Sequence, residues 1–285
     1  MTLLVTGGSG FVGRRVHSLA GSRPEDGEVV WLEHRWHGID EIRRLVPDGI
    51  GACIHLAWTA STGDYLTNAR SNLDSFAASI ELARVLAERG CRHLVVAGSC
   101  AEYAESDHTL NEESPLRADS PYAEYEIRLH QSLLELGIPL AWARLFSVVG
   151  PGESPSRLMP WVARCLLNGT AVPLSPGDQV RDLIDVDDVV RALLALSEMR
   201  QVGVFNLCRG EPVVLRDFLL LLAELVHADP KLLEFGLRTY GVVDPRRVVG
   251  DPSRLQAAIV DWSPRFDTRE IADRIVADAT AAERF

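Results

Sequence analysis

The chain is nearly without lysine: of its 29 basic residues only Lys231 is one. It lacks any basic surplus, since 40 acidic residues leave a formal net charge of -11. No Lys/Arg cluster is interleaved with aromatics either, so a nucleic-acid partner is not expected. No apolar run reaches the roughly 18 residues that a membrane span requires, so no membrane partner is expected. A first strand beginning at residue 2 or 3 leaves no room for a signal peptide. Cysteine is sparse and unpatterned. Cys53, Cys91, Cys100, Cys165 and Cys208 are odd in number and lack CxxC spacing, which fits reduced thiols in the cytoplasm, the expected location, better than disulfides or a zinc site. Metal motifs are missing too. His34 and His37 have no third ligand nearby, and Asp185, Asp187 and Asp188 lack the glycine and distal glutamate of a calcium loop, so helix capping is their expected use. GGSGF is not a hydrolase elbow, because Phe11 fills the place of its last glycine. There is no internal repeat and no low-complexity tail.

What the chain does have is TGGSGFVG at residues 6–13, directly after the apolar run Leu3, Leu4, Val5. An amphipathic run follows, so strand, glycine turn and helix come in the order a dinucleotide site needs. Glycines permit the tight turn and let backbone amides approach a pyrophosphate, while the new helix offers unpaired N–H groups and a positive dipole end. Next, EVVWLEHR reads as a second strand ending in Glu33, His34 and Arg35. An acidic residue about 20 positions past the glycines binds adenosine ribose hydroxyls and repels a 2'-phosphate; an arginine does the reverse. Glu33 argues for NAD and Arg35 for NADP, and the choice stays open.

GACIHLAW (51–58), HLVVAGS (93–99) and PLAWARLF (139–146) read as strands. Helices are expected over 40–46, about 65–89 and 122–136, the last two stopped by Gly90 and Gly137. The alternation predicts an α/β fold, a Rossmann-type doubly wound parallel sheet covered on both faces. After Gly150 the proline- and glycine-rich PGESPSRLMP marks a crossing to a second lobe. Residues 1–150, with about 178–205, are expected to bind the dinucleotide. Residues 151–177 and 206–285 would form a smaller C-terminal α/β substrate lobe.

Taken in order, these motifs resemble the extended short-chain dehydrogenase/reductase family of nucleotide-sugar epimerases, dehydratases and ketoreductases. The resemblance spans nearly the whole chain: GGSGFVG, HLAW at 55–58, Asn72, GSCAEYA at 98–104, Pro121-Tyr122, RLFSVVGPG at 144–152, RDLIDVDDV at 181–189 and FNL at 205–207. It implies that NAD(P)H is held by Gly7, Gly10, Phe11, Val12 and Gly13, by Glu33, His34 and Arg35, by Leu56, Ala57 and Trp58, and by Asn72, Ala97, Tyr122 and Glu126. It implies that Tyr122 exchanges a proton with a sugar oxygen and that Ser99 hydrogen-bonds the same oxygen, roles that suit a phenol and a neutral hydroxyl. Arg181 is matched to an arginine that pairs with the substrate diphosphate, with Arg157 and Arg247 as companions and a surface ion pair of Arg181 with Asp182 as the alternative. Ser99, Cys100, Ala101 and Ser147 would also face the sugar nucleotide. Relatives commonly form homodimers through two helices per subunit. His55 is expected to be a packed strand-end residue near the cofactor.

Two departures narrow the reaction. One helical turn after Tyr122 the family has lysine, and here Glu126 stands in YAEYE. At an effective dielectric of about 20 and a separation of about 5 Å, each unit charge contributes roughly 3 kcal/mol, so exchanging cation for anion moves the phenol's pKa upward. Reducing a ketone needs a neutral phenol, whereas oxidising an alcohol needs phenolate. The family dehydratases also carry an Asp-Glu pair where this chain has Cys100 and Ala101, and Glu102 would face the other way in a strand-like backbone. The reading is an NAD(P)H-dependent ketoreductase acting on an NDP-4-keto-6-deoxyhexose, with Glu126 as a ribose ligand. The alternatives are an epimerase of similar substrates and a dinucleotide-binding protein impaired by Glu126.

Overall fold

A computed structural model describes residues 2–20, 28–32, 39–60, 63–241 and 243–283. Glu33, His34, Arg35 and His37 therefore lie outside the described residues.

The first half alternates strand and helix: β1 (Thr2–Thr6), α1 (Phe11–Ala20), β2 (Val29–Leu32), α2 (Ile39–Leu45), β3 (Ile50–His55), α3 (Ala69–Glu88), β4 (Leu94–Ser99), α4 (Pro121–Glu135) and β5 (Leu140–Leu145). The second half is less regular: β6 (Ser147–Val149), α5 (Leu158–Leu167), β7 (Val172–Leu174), β8 (Val180–Asp185), α6 (Val186–Glu198), β9 (Gly203–Leu207), β10 (Pro212–Val214), α7 (Leu215–Leu225), β11 (Leu233–Phe235), β12 (Arg247–Val248), α8 (Ser253–Ala258) and α9 (Thr268–Ala282).

Six strands form one parallel sheet in the order β2-β1-β3-β4-β5-β9. The chain runs outward in both directions from β1 and β3, so a crevice opens beyond their C-terminal ends, where ligands of doubly wound sheets bind. Both faces are buried. On one, Leu4, Cys53, Val96 and Trp142 pack under Leu86 of α3 and Leu129 of α4. On the other, Val5, Ile54, Val95 and Ala143 pack under Val16 of α1 and Leu193 of α6. This double burial explains why β3 and β4 read as continuous apolar runs rather than alternating ones.

A second core gathers α5, α7 and α9 around Leu174 and Leu183. There β8 pairs with β10, β12 and β6. β8 falls in the range given to the dinucleotide unit yet joins the second sheet. Leu255, Ile259 and Trp262, assigned to the other lobe, fill the first core. The chain crosses between the two cores several times, and periodicity alone does not reveal which core a buried strand joins.

The turn after β1 is built from backbone at contact distance. Gly7 holds φ +72°, and a Cβ on Gly13 would lie 2.1 Å from the Gly7 carbonyl oxygen. Gly13→Ala therefore forces the turn off the helix. It is expected to cost about 1–3 kcal/mol in urea unfolding and to weaken dinucleotide binding in calorimetry; an alanine variant with unchanged midpoint and affinity would contradict this packing.

Candidate active site

The glycine turn closes on itself, with the Gly10 amide donating to the Gly7 carbonyl at 2.9 Å and the Arg14 amide to Gly10 at 2.9 Å. The Phe11, Val12 and Gly13 amides open α1 and have no carbonyl one turn back within it. Small residues and helix-start amides at the crevice suit a pyrophosphate, so the turn fits a dinucleotide. A Cβ on Gly7 would also meet Leu56 at 2.7 Å, which places Leu56 and Ala57 against the turn. Arg14 braces this corner by donating to the Ser9 carbonyl at 2.6 Å and the Gly152 carbonyl at 2.8 Å.

Below the turn, Thr6 Oγ1 lies 2.6 Å from His55 Nδ1, and His55 Nε2 lies 2.8 Å from Ser79 Oγ. Burial holds this imidazole neutral, with its pKa lowered to about 4. Its polar atoms are spent on β1 and α3, in keeping with a packed strand-end residue.

Ser99 ends β4 and caps a 3-10 turn over Cys100–Glu102, its Oγ accepting from the Ala101 amide at 3.1 Å. Cys100 and Ala101 are half-buried in that turn, and Ala97 is half-buried on β4. The turn also redirects Glu102. Instead of facing away on a strand, its carboxylate folds under Ser99 and is fully buried. Oε1 accepts from the Ser99 amide at 2.9 Å and from Trp142 Nε1 at 2.9 Å; Oε2 accepts from Arg144 Nε at 2.8 Å. Arg144 donates onward to the Tyr103 hydroxyl at 2.9 Å. Burial pushes the Glu102 carboxyl up against these contacts, while Glu102 keeps the Arg144 guanidinium charged. Strand periodicity could not reveal this base beneath the serine, because Arg144 comes from another strand, 42 residues on.

α4 starts cleanly: Ser120 accepts from the Ala123 amide at 3.1 Å and Pro121 takes the first helical position. That start sets Tyr122 beside Ser99, with Glu126 one helical turn further along α4. Tyr65 and Trp58 wall the phenol edge-on, with ring centroids 5.3 and 6.0 Å away. Burial first, then the Glu126 carboxyl, pushes the Tyr122 phenol well above its ordinary value, while Ser99 pulls it back. Glu126 is buried, and burial first, then the charge of Glu102, holds its carboxyl well above the usual range. Arg128 pairs with Glu124 at 2.7 Å on the exposed side and does not replace the missing lysine.

Some expected site residues serve other ends. Asn72 is fully buried and spends its amide within the chain, accepting from Trp58 Nε1 at 2.8 Å and donating to the Tyr65 carbonyl at 2.6 Å. These bonds position the aromatic wall. Arg181 pairs with Asp244, not with Asp182. Asp182 instead accepts the backbone amides of Arg209, Gly210 and Gly250. Arg157 is exposed, donates to the Ala60 carbonyl at 3.1 Å and lies 5.0 Å over the Tyr65 ring. Arg247 and Ser147 are half-buried on β12 and β6, and Arg247 Nε has no hydrogen-bond partner among the described residues. Asp185 caps α6 by accepting from the Asp187 amide at 2.8 Å, as expected. No metal cluster forms among the described residues, and no helix there is long and apolar enough to cross a membrane.

A parallel doubly wound sheet, a glycine turn at its switch point and a Ser-Tyr pair beside it define an enzyme that works with a nicotinamide dinucleotide. The profile of the NAD dependent epimerase/dehydratase family matches residues 3–208, and the chain belongs to that family. GDP-6-deoxy-D-mannose reductase of Pseudomonas aeruginosa is 26% identical over 97% of this chain and 96% of its own length. CDP-abequose synthase of Salmonella typhimurium is 31% identical over 45% of this chain and 44% of its own. Among solved structures, MoeE5 in complex with UDP-glucuronic acid and NAD superposes with TM-score 0.86 at 24% identity, covering 99% of this chain and 100% of that one. The likeness confirms the fold.

The buried imidazole supplies a pH signature. His55 is neutral when folded, with a pKa of about 4 against an ordinary value near 6.5. Its contribution is therefore present above pH ~6.5 and lost as the pH falls toward 4, up to about 3 kcal/mol. His55→Gln should flatten the fall of the urea midpoint across that window. An equally steep fall in the variant would assign it elsewhere.

Proposed function

We propose that the chain reduces the keto group of an NDP-4-keto-6-deoxyhexose with NAD(P)H, as in deoxysugar biosynthesis. The observation that carries this reading is the buried Glu126 carboxyl one helical turn after Tyr122 on α4, in place of a cation. A phenol kept protonated in this way can give a proton to a forming alkoxide and is poorly suited to take one from an alcohol. An epimerase that begins by oxidising its substrate needs that second ability. Cys100 and Ala101 have no acid/base group to eliminate water, so dehydration is disfavoured as well. The full-length likeness to GDP-6-deoxy-D-mannose reductase supports the same direction.

In this mechanism the glycine turn and the α1 amides would hold the pyrophosphate. A dinucleotide held there would supply the hydride for the carbonyl carbon. Ser99 orients the carbonyl oxygen, and Tyr122 protonates it. Arg157, Arg181 and Arg247 take the substrate diphosphate, with Asp244 yielding its hold on Arg181. The fork geometry of arginine suits this task. Residues 151–177 and 206–285 contribute most of the substrate lobe. A homodimer through α3 and α4, which expose Leu73 and Leu134, and a place in the cytoplasm belong to the same reading.

The test is to offer GDP-, CDP- and dTDP-linked 4-keto-6-deoxyhexoses with NADH or NADPH and to follow nicotinamide absorbance. One of these sugars should consume the reduced dinucleotide, and Tyr122→Phe should lower kcat/KM by about 10²–10⁴-fold. Absence of consumption with every sugar, or full activity of the phenylalanine variant, would overturn the reading.

A further inference from the structure

Among the described residues no cation reaches Glu126. It is 1% exposed, lies one helical turn from Tyr122 on α4 and leaves Oε2 buried without a hydrogen-bond partner among the described residues. The titratable groups around it come from each packed element. Tyr122 and His130 share its helix, and His130 stacks on Trp142 at 4.8 Å, held neutral by burial with a pKa of about 4. Cys100 and Glu102 belong to the turn after β4, and Arg144 on β5 is already spent on Glu102 at 2.8 Å. α3 buries Asn72, Ser75 and Ser79, none of them charged. The charge that bears on Glu126 is therefore negative. An ionised carboxylate there would lack both a counter-ion and solvent for its second oxygen, a strong penalty on the charged form.

We propose that Glu126 is a carboxylic acid that stores a proton and passes it to Tyr122 after each reduction. This rests on the ketoreductase reading. In the reduction the carbonyl carbon gains the hydride, and the freed π pair on oxygen takes the proton of the Tyr122 O–H. The resulting phenolate then takes the proton of the Glu126 O–H, which breaks and leaves a carboxylate. Glu126 thus becomes anionic in the same event that creates positive charge on the nicotinamide, and the site's net charge does not change. The carboxylate takes a proton from water when the oxidised dinucleotide departs. A lysine in this place would hold phenolate and serve oxidation; the carboxylic acid removes phenolate and favours reduction.

Calorimetry without substrate tests the stored proton. NAD+, NADH, NADP+ and NADPH are titrated into the full chain near neutral pH in buffers of different ionisation heat, which counts protons released on binding. The oxidised form of whichever dinucleotide binds should release more protons than its reduced form, and Glu126→Gln should abolish the difference. Equal counts in the wild type, or a difference that survives in the variant, would overturn the proposal; the wild-type comparison stands alone if the variant does not fold. No substrate enters this titration, so its result is distinct from failure to find the sugar. Absence of binding by all four dinucleotides would overturn both readings. With a turning-over keto sugar, the multiple-turnover rate of Glu126→Gln should fall about 10²-fold below its own single-turnover rate. Equal rates in the variant would contradict the proton transfer.

Discussion

The proposed active site depends on a buried carboxyl, Glu126, beside a half-buried phenol, Tyr122, with no cation against them among the described residues. Tyr122 and Glu126 lie one turn apart on α4, and the nearby Arg144 is committed to Glu102. With no positive charge to stabilise an anion, both groups are driven toward their neutral, protonated forms. In the proposed reduction, that constraint favours proton flow from the phenol toward the substrate.

The surrounding structure keeps this arrangement in place. The fully buried Glu102 carboxylate holds the Ser99 amide from below, so the hydroxyl that meets Tyr122 rests on an ion pair instead of a free loop. Asn72 ties Trp58 and the Tyr65 backbone together and so fixes the aromatic wall at the phenol's edge. On the cofactor side, the Thr6-His55-Ser79 chain stitches β1, β3 and α3 beneath the glycine turn. Each network satisfies buried polar groups from different elements, which makes the site a property of the whole sheet.

The parts legible in the sequence were those written locally. Glycine spacing, continuous apolar strands, the Ser120-Pro121 helix start and the one-turn spacing of Tyr122 and Glu126 are all short-range signals, and the fold and the proposed Ser-Tyr pair follow from them. What sequence left hidden depends on partners far apart in the chain. Arg181 turned to Asp244, 63 residues away, and not to its neighbour Asp182. Glu102 found Arg144 because a 3-10 turn replaced the extended backbone expected there. Asn72 sits at the expected place, yet tertiary hydrogen bonds claim it. β8 reads like any other buried strand, and only packing decides which sheet it joins.

The account stands on Glu126 being protonated at neutral pH. Infrared difference spectra of wild type against Glu126→Gln read this directly through the carbonyl stretch of an un-ionised carboxyl group. The account predicts that band in the wild type near pH 7 and its loss in the variant. A wild-type spectrum showing instead the carboxylate stretches lost on substitution would contradict it.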